Sequence, residues 1–447
     1  MLGALAIAAI ACSPAKPPSV VLISVDTLRA DALGAYGGLS PTPSFDRFAR
    51  EGVLFEKAFA PAPATAPSHA TLFTGQQVQR HGVLRNGESL PETAPTLAEA
   101  FRAHGYATAG FVSSFVLDPR FGWGQGFAHF DATLPRNSST MGKQKPYPGA
   151  FWAEQRFAGF DRRATLTTEA AIGWLAQAPE PFFLFVHYFD PHAPYAPPTQ
   201  FGERSAALRF PLEGRAVAGL APAQLERLVQ LYHGEVLYVD DALAALLDAV
   251  ARRSHDEALV VVTGDHGEGL GQHGWMEHAT QLYDEQIRVP LLVRWPGRVP
   301  GGRRIATPVE LADVAPTLLE LAGVASPAPR DGRSLAAAIR DGAELPPRPI
   351  FGIRSLLDEA TGWGRGVKLS VRTDRWKYIF ASEAQAELFD LDADPRERHD
   401  LLAAQAARAA ELRGLLEKHI AELPHVHDSA PLSDTTRRAL QALGYLE

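Results

Sequence analysis

Cysteine is almost absent from this chain. Its 447 residues include one, Cys12, so no intramolecular disulfide can form and the fold must rest on its packed core. A surplus of positive charge is absent too. The 43 Lys and Arg are outnumbered by 51 Asp and Glu, a net charge of -8, which leaves no basic face for a nucleic acid partner. Long apolar runs are also scarce. Residues 2–11 form one uninterrupted run, too short to cross a bilayer as a helix, and no later stretch reaches membrane length. That run, followed by Cys12 and a Pro-rich segment, reads as a leader h-region with its cleavage point, although a basic n-region is missing. The sole cysteine falls where a bacterial lipoprotein leader carries its lipidated residue. The expectation is therefore an exported lipoprotein of the bacterial cell envelope, anchored to a membrane through Cys12.

The remaining composition is that of a globular protein, 46% hydrophobic and 21% charged, long enough for one large domain and a smaller one. Three β-branched or aromatic runs show no alternation and predict strands buried on both faces, as in a parallel sheet. Val20-Val21-Leu22-Ile23-Ser24-Val25 ends in Asp26. Phe182-Phe183-Leu184-Phe185-Val186 ends in His187, Asp190 and His192. Leu259-Val260-Val261-Val262-Thr263-Gly264 ends in Asp265 and His266. Open α/β sheets collect ligands at the C-terminal ends of their strands, which is where these polar groups fall. Residues 165–177 and 224–252 read as helices. Residues 131–160, rich in Gly, Pro, Ser and aromatics, read as a surface insertion of the kind that forms lids or substrate walls. Segments 368–372 and 376–380 read as a hairpin, followed by a helix over 403–420.

Between the first two runs lies Thr65-Ala66-Pro67-Ser68-His69-Ala70-Thr71-Leu72-Phe73-Thr74-Gly75. Pro67 suits the first turn of a helix, where its missing N–H costs nothing. Thr65 then stands near a helix N-terminus, where a developing anion is favoured. Two readings are open for it: an alkoxide nucleophile, or a plain helix cap.

This strip resembles the sulfatase signature Cys/Ser-x-Pro-Ser-Arg-x-x-x-x-Thr-Gly, from a family within the alkaline phosphatase superfamily. Asp26-Thr27-Leu28-Arg29, the His81-Gly82-Val83 segment with Asn86, Pro191-His192-Ala193-Pro194, Asp265-His266-Gly267-Glu268 and Glu387-Leu388-Phe389-Asp390 are similar to further motifs of that family, in its order. The resemblance implies an alkaline-phosphatase/sulfatase-like α/β fold: helices around a large, mostly parallel β-sheet, plus a small C-terminal antiparallel sheet with a helix. It divides the chain into leader and linker (1–18), catalytic domain (19–325), C-terminal subdomain (345–420) and polar tail (421–447).

The resemblance also implies chemistry. Asp26, Asp265 and His266 would bind a divalent metal with the Thr65 oxygen, and a cation meets the need of an acidic chain to hold an anionic substrate. Thr65 would attack, and His278 or His192 would protonate the leaving group. His278, where the family usually has Lys, could instead hold the transferred group or a second metal. Asn86, His69, Asp190 and His187 would contact a small anionic ester. Three departures from the family pattern shape the expectation. Thr65 cannot be oxidised to the formylglycine that sulfatases use, so no formylglycine is expected. His69 replaces Arg. Thr27 replaces a second Asp, which removes a carboxylate and moves the metal from Ca²⁺ or Mg²⁺ toward Mn²⁺ or Zn²⁺. A formylglycine hemiacetal expels sulfate by elimination, whereas a threonyl ester needs a second attack at the central atom. Phosphate mono- and diesters or phosphonate esters are thus expected over sulfate esters. Strict sulfatase activity, phospho-group transfer to an alcohol and a catalytically silent binding protein are the alternatives.

Overall fold

The structure is a computed structural model that describes residues 16–135, 160–208, 217, 219–326, 328–356, 366–382 and 384–422. The expected leader with Cys12, most of the 131–160 insertion and the tail beyond 422 lie outside the described residues.

Among the described residues the main body is built on eleven strands: β1 (Val20–Val25), β2 (Val53–Phe59), β3 (Ala107–Phe111), β4 (His129–Asp131), β5 (Phe182–Tyr188), β6 (Leu259–Gly264), β7 (Gly269–Leu270), β8 (Met276–Glu277), β9 (Arg288–Arg294), β10 (Arg303–Ile305) and β11 (Val309–Glu310). Nine form one sheet in the order β10-β2-β9-β6-β1-β5-β3-β4, with β11 also on β2; β7 and β8 pair apart. Neighbours are parallel except β9, which is antiparallel to β2 and β6. This is the mostly parallel α/β architecture that the unalternating runs predict.

All residues of β1, β5 and β6 are buried, and their side chains divide with period two between two cores. Leu22, Phe185 and Val261 share one face with the helices Thr65–Thr74, Leu97–Ala103 and Val314–Ala322. Ile23, Val186 and Val262 share the other with Pro43–Glu51, Ala164–Leu175 and the long Pro222–Arg253 helix. Both sets are in register across the three strands, so the three polar termini arrive at one sheet edge.

Pro290 sits inside β9, a central strand that normally excludes proline. The β2 ladder is irregular opposite it, between Phe55 and Ala58. The Tyr36 hydroxyl fills the break, accepting from Leu291 N at 2.9 Å and donating to Phe55 O at 3.0 Å.

The C-terminal unit is an antiparallel sheet of β12 (Ile350–Leu356), β13 (Gly366–Arg372), β14 (Trp376–Ala381) and β15 (Glu387–Asp390) in sequence order. The helix Ala406–Glu422 covers it through Leu412 and Leu416, which pack on Val371, Tyr378 and Leu388. Fully buried Lys377 ties this sheet to the main body: its Nζ lies 2.8 Å from Asp284 and 2.6 Å from Glu397. Removing the cation leaves buried carboxylates short of a counter-charge. We therefore expect Lys377→Met to cost about 3–5 kcal/mol of stability, read from chemical denaturation; a loss below about 1 kcal/mol, the range of an exposed pair, would refute that role.

Candidate active site

The site begins at the ends of β1 and β6. Asp26, fully buried, follows β1 directly, and its N–H is fixed by Tyr188 O at 2.9 Å. The chain then turns sharply. Thr27 has φ +54, a left-handed conformation that a β-branched residue rarely adopts. It is held there from two sides. Its N–H donates to Asp265 Oδ1 at 3.2 Å, and its carbonyl accepts from the Tyr232 hydroxyl at 2.9 Å. The same hydroxyl accepts from Arg29 N at 3.1 Å. Strain stored at this turn fixes where the Asp26 carboxylate lies.

Asp265 and His266 are also fully buried. Asp265 Oδ1 accepts from Thr27 N and, at 2.7 Å, from His266 N, so Oδ2 is the oxygen left over. His266 Nδ1 lies 3.0 Å from Gly267 O. A carbonyl only accepts, so Nδ1 carries a proton and, in the neutral ring that a metal ligand requires, Nε2 keeps its lone pair. That Nε2 is 3.5 Å from Asp26 Oδ1, 3.5 Å from Asp265 Oδ2 and 3.4 Å from Thr65 Oγ1.

These spacings fit a bound cation. Ligand atoms about 2.1 Å from a tetrahedral ion stand about 3.4 Å apart. Both Asp26 oxygens and Asp265 Oδ2 are buried and find no hydrogen-bond donor among the described residues. Burial pushes Asp26 up to about 7, with neighbouring Glu268 adding to the rise and His266 opposing it. Burial and then Asp26 itself push Asp265 up as well. Two carboxylates so placed call for a positive charge between them, and Asp26, Asp265 and His266 form a group able to hold one.

Thr65 is the first residue of the helix Thr65–Thr74, and Ala64 is its N-cap. The cap bond comes from outside the helix. Asn86 Oδ1 accepts from Ala66 N at 2.8 Å, which leaves the Asn86 amide nitrogen as its donating end. The Thr65 hydroxyl is thus not used as a cap, and its recorded contact is His266. One turn on, His69 is buried with Nδ1 2.8 Å from Thr65 O and 3.6 Å from Asp265 Oδ2. His187, buried at the end of β5, brings Nε2 to 3.5 Å from Asp26 Oδ2. Both candidates therefore lie against the carboxylate pair.

His278 and His192 line the other side of His266. The His278 ring centroid is 4.6 Å from that of His266 and 4.8 Å from that of His192. Desolvation holds both histidines below the ordinary range. His192 Nδ1 is 2.6 Å from Ala193 O. His278 Nδ1 is 3.1 Å from Glu268 Oε1. Glu268 is a residue that sequence reasoning passed over, although it ends the Asp-His-Gly-Glu segment. It is fully buried, and desolvation pushes it up to about 8. Asp190 is held elsewhere. It accepts from Ala164 N at 2.8 Å and pairs with Arg163 at 3.0 Å, beside buried Glu235.

Comparison with known proteins bears on family and fold. The sequence profile of the family described as Sulfatase matches residues 18–324. The uncharacterized sulfatase YidJ of Escherichia coli is 27% identical over 425 residues, covering 87% of this chain and 83% of its own. The multifunctional alkaline phosphatase superfamily protein PehA of Trinickia caryophylli is 27% identical over 518 residues, covering 94% and 99%. Among solved structures, the phosphonate monoester hydrolase of Agrobacterium radiobacter superposes with a TM-score of 0.72 at 26% identity, covering 90% of this chain and 95% of that one.

Proposed function

The chain belongs to the sulfatase family, and we propose that it hydrolyses phosphate mono- or diesters or phosphonate esters in preference to sulfate esters, with Thr65 as nucleophile. The observation that carries this reading is the Thr65 hydroxyl: buried, released from capping by Asn86, and 3.4 Å from His266 Nε2. A divalent cation on Asp26, Asp265 and His266 would act as a Lewis acid and lower the pKa of the hydroxyl. The imidazole and the limited number of carboxylates favour Mn²⁺ or Zn²⁺ over Ca²⁺ or Mg²⁺.

Thr65 Oγ, having given its proton to solvent, attacks phosphorus in line as the alkoxide and forms a threonyl ester as the P–O bond to the leaving group breaks. The leaving oxygen takes the Nε2 proton of His278 as buried Glu268, its carboxyl pushed up to about 8 and so protonated near neutrality, passes a proton to Nδ1. His192, stacked on Phe189 with ring centroids 4.3 Å apart, is placed beside His278 for the same transfer. The Asn86 amide nitrogen donates to an oxygen of the transferred group. Water then attacks phosphorus and releases Thr65, with His278 taking up the proton. The expected place of work is the cell envelope, by lipid attachment at Cys12; mass measurement of the N-terminal peptide tests that.

The relatives carry both sulfatase and phosphonate names, so the choice of central atom needs its own experiment. Purified protein is offered a phosphate monoester, a phosphodiester, a phosphonate monoester and a sulfate ester of one phenol. We expect kcat/KM for a phosphorus ester to exceed that for sulfate by about tenfold or more, equivalent to about 1.4 kcal/mol of transition-state binding. Dominant sulfate turnover would overturn the reading.

A further inference from the structure

A second group of ligand-type atoms adjoins the first. Ring nitrogens of His69 and His187 and a carboxylate oxygen of Asp265 lie within 4.8 Å of one another, all fully buried. Asp265 belongs to both groups, which suggests a two-cation centre at first sight. The proton positions argue otherwise. We infer that His69 and His187 are positioning residues, whose neutral N–H groups steady Asp265 Oδ2 and Asp26 Oδ2 around a single cation. The inference rests on the cation-binding part of the proposed function and not on the choice of substrate.

Backbone groups have fixed roles, so they assign the protons. His69 Nδ1 is 2.8 Å from Thr65 O. The carbonyl can only accept, so Nδ1 bears the hydrogen. That same Nδ1 is the nitrogen 3.6 Å from Asp265 Oδ2. His187 Nδ1 accepts the Ser113 N–H at 3.4 Å, so in a neutral ring Nε2 bears the hydrogen. That Nε2 is the nitrogen 3.5 Å from Asp26 Oδ2. Each ring therefore turns a hydrogen-bearing nitrogen, not a lone pair, toward the carboxylate it faces; at His69 that hydrogen is donated to Thr65 O, with Asp265 Oδ2 as a longer second neighbour. His266 is the contrast: its Nδ1–H is taken by Gly267 O, and the bare Nε2 faces both carboxylates.

Packing holds the two rings in these orientations. They meet edge to face at 5.1 Å, and His69 also stands edge-on to Phe185 and Trp123. The Ser113 hydroxyl, 2.7 Å from His187 O, anchors the end of β5. Neither carboxylate contact has reached hydrogen-bond length; each N–H acts as an oriented dipole, which counts for more in a buried site than in water. A neutral donor also leaves the negative charge of the pair undiminished for the cation. Outer partners of this kind turn and steady the ligands that touch the metal.

The test uses Zn²⁺ alone and reads stoichiometry and affinity, with no turnover. In His187→Gln the amide nitrogen can stand in for Nε2; in His69→Asn it can stand in for Nδ1. His187→Leu and His69→Leu fill the space without a donor. Melting curves and circular dichroism establish which variants fold, and each position is read independently. Wild type should bind one equivalent. Each Leu variant should still bind one, about 10–100-fold more weakly, and the amide variants should return to within about threefold of wild type. Two equivalents in wild type, one of them lost in a Leu variant, would make these histidines ligands and overturn the inference. Folded Leu variants with undiminished affinity would overturn it too, while leaving the single-cation site intact. Wild type that binds no cation would overturn the inference together with the cation site itself.

Discussion

Thr65→Ala folds, keeps its cation and loses turnover by a factor of about 10³–10⁶, the range spanned when an attacking side chain is removed. The first two expectations follow from the local structure. Asn86 supplies the cap bond to Ala66 N, so no cap is lost with the hydroxyl, and alanine is the better helix former. Asp26, Asp265 and His266 are untouched by the change. The melting temperature should therefore fall by no more than a few degrees, about 1 kcal/mol in a chain of this size. The third expectation follows from the position of Oγ1, 3.4 Å from His266 Nε2 at a helix N-terminus. Thr65→Ser restores the oxygen and should recover most of the rate. Quenching wild type during turnover of a phosphate ester should leave one phosphoryl group on the peptide containing Thr65. A silent binding protein of this fold would show equal turnover, or none, before and after the substitution. Unchanged kcat in Thr65→Ala, with the cation still bound, would end the nucleophile reading.

Why the sequence left Thr65 open between nucleophile and cap is a matter of distance along the chain. The sequence near it is compatible with self-capping, and Asn86, 20 residues beyond Ala66, reads locally as an Asn-Gly turn. The same device recurs at Pro43–Glu51. Asp240, from the long helix, accepts from Ser44 N and Phe45 N at 3.0 and 2.9 Å, while adjacent Thr42 makes no side-chain cap bond. Caps borrowed from remote elements carry no local signature. The buried strands were legible for the opposite reason. Each run is apolar on both faces, and its period-two division between the cores asks nothing of distant residues. The polar residues just beyond β1 and β6 were legible as a site because strand ends in one sheet share an edge. That logic fails past the first turn. Asp190 lies close to His187 in sequence, yet the chain has left β5 by then and the carboxylate serves Ala164 N and Arg163. Glu268 was missed because its role depends on His278 folding back to meet it.

Stripping the divalent cation should make the protein respond to pH through Asp26, and the sign can be worked out. In the fold its pKa is pushed up to about 7 from the ordinary 3.8, chiefly by burial. Between those values the folded chain holds a proton that the unfolded chain has released. The Asp26 contribution is thus fully present below about 4 and is lost as pH rises through about 7. A cation reverses this, because it takes the place of the proton. Apparent affinity for Mn²⁺ should climb by about tenfold per pH unit up to about 7 and then flatten, one proton leaving for each ion bound. Glu268, raised to about 8 by burial, extends a shallower rise beyond that point. His69 and His187, held down to about 3 and about 4 chiefly by burial, are already neutral and contribute no slope in this window. At 100 times its dissociation constant the ion should stabilise the fold by about 2.7 kcal/mol, so at a fixed Mn²⁺ concentration the rise in melting temperature is larger at pH 7.5 than at pH 6. Asp26→Asn carries no titrating proton at that ligand. It should bind Mn²⁺ more than about 100-fold more weakly, beyond the loss of an outer partner, and with a flatter pH slope. Titrating wild type and Asp26→Asn across pH 5.5 to 8.5 measures both effects together. A wild-type affinity that does not change with pH, or an undiminished slope in Asp26→Asn, would mean that the cation is not held by the ionised Asp26 carboxylate.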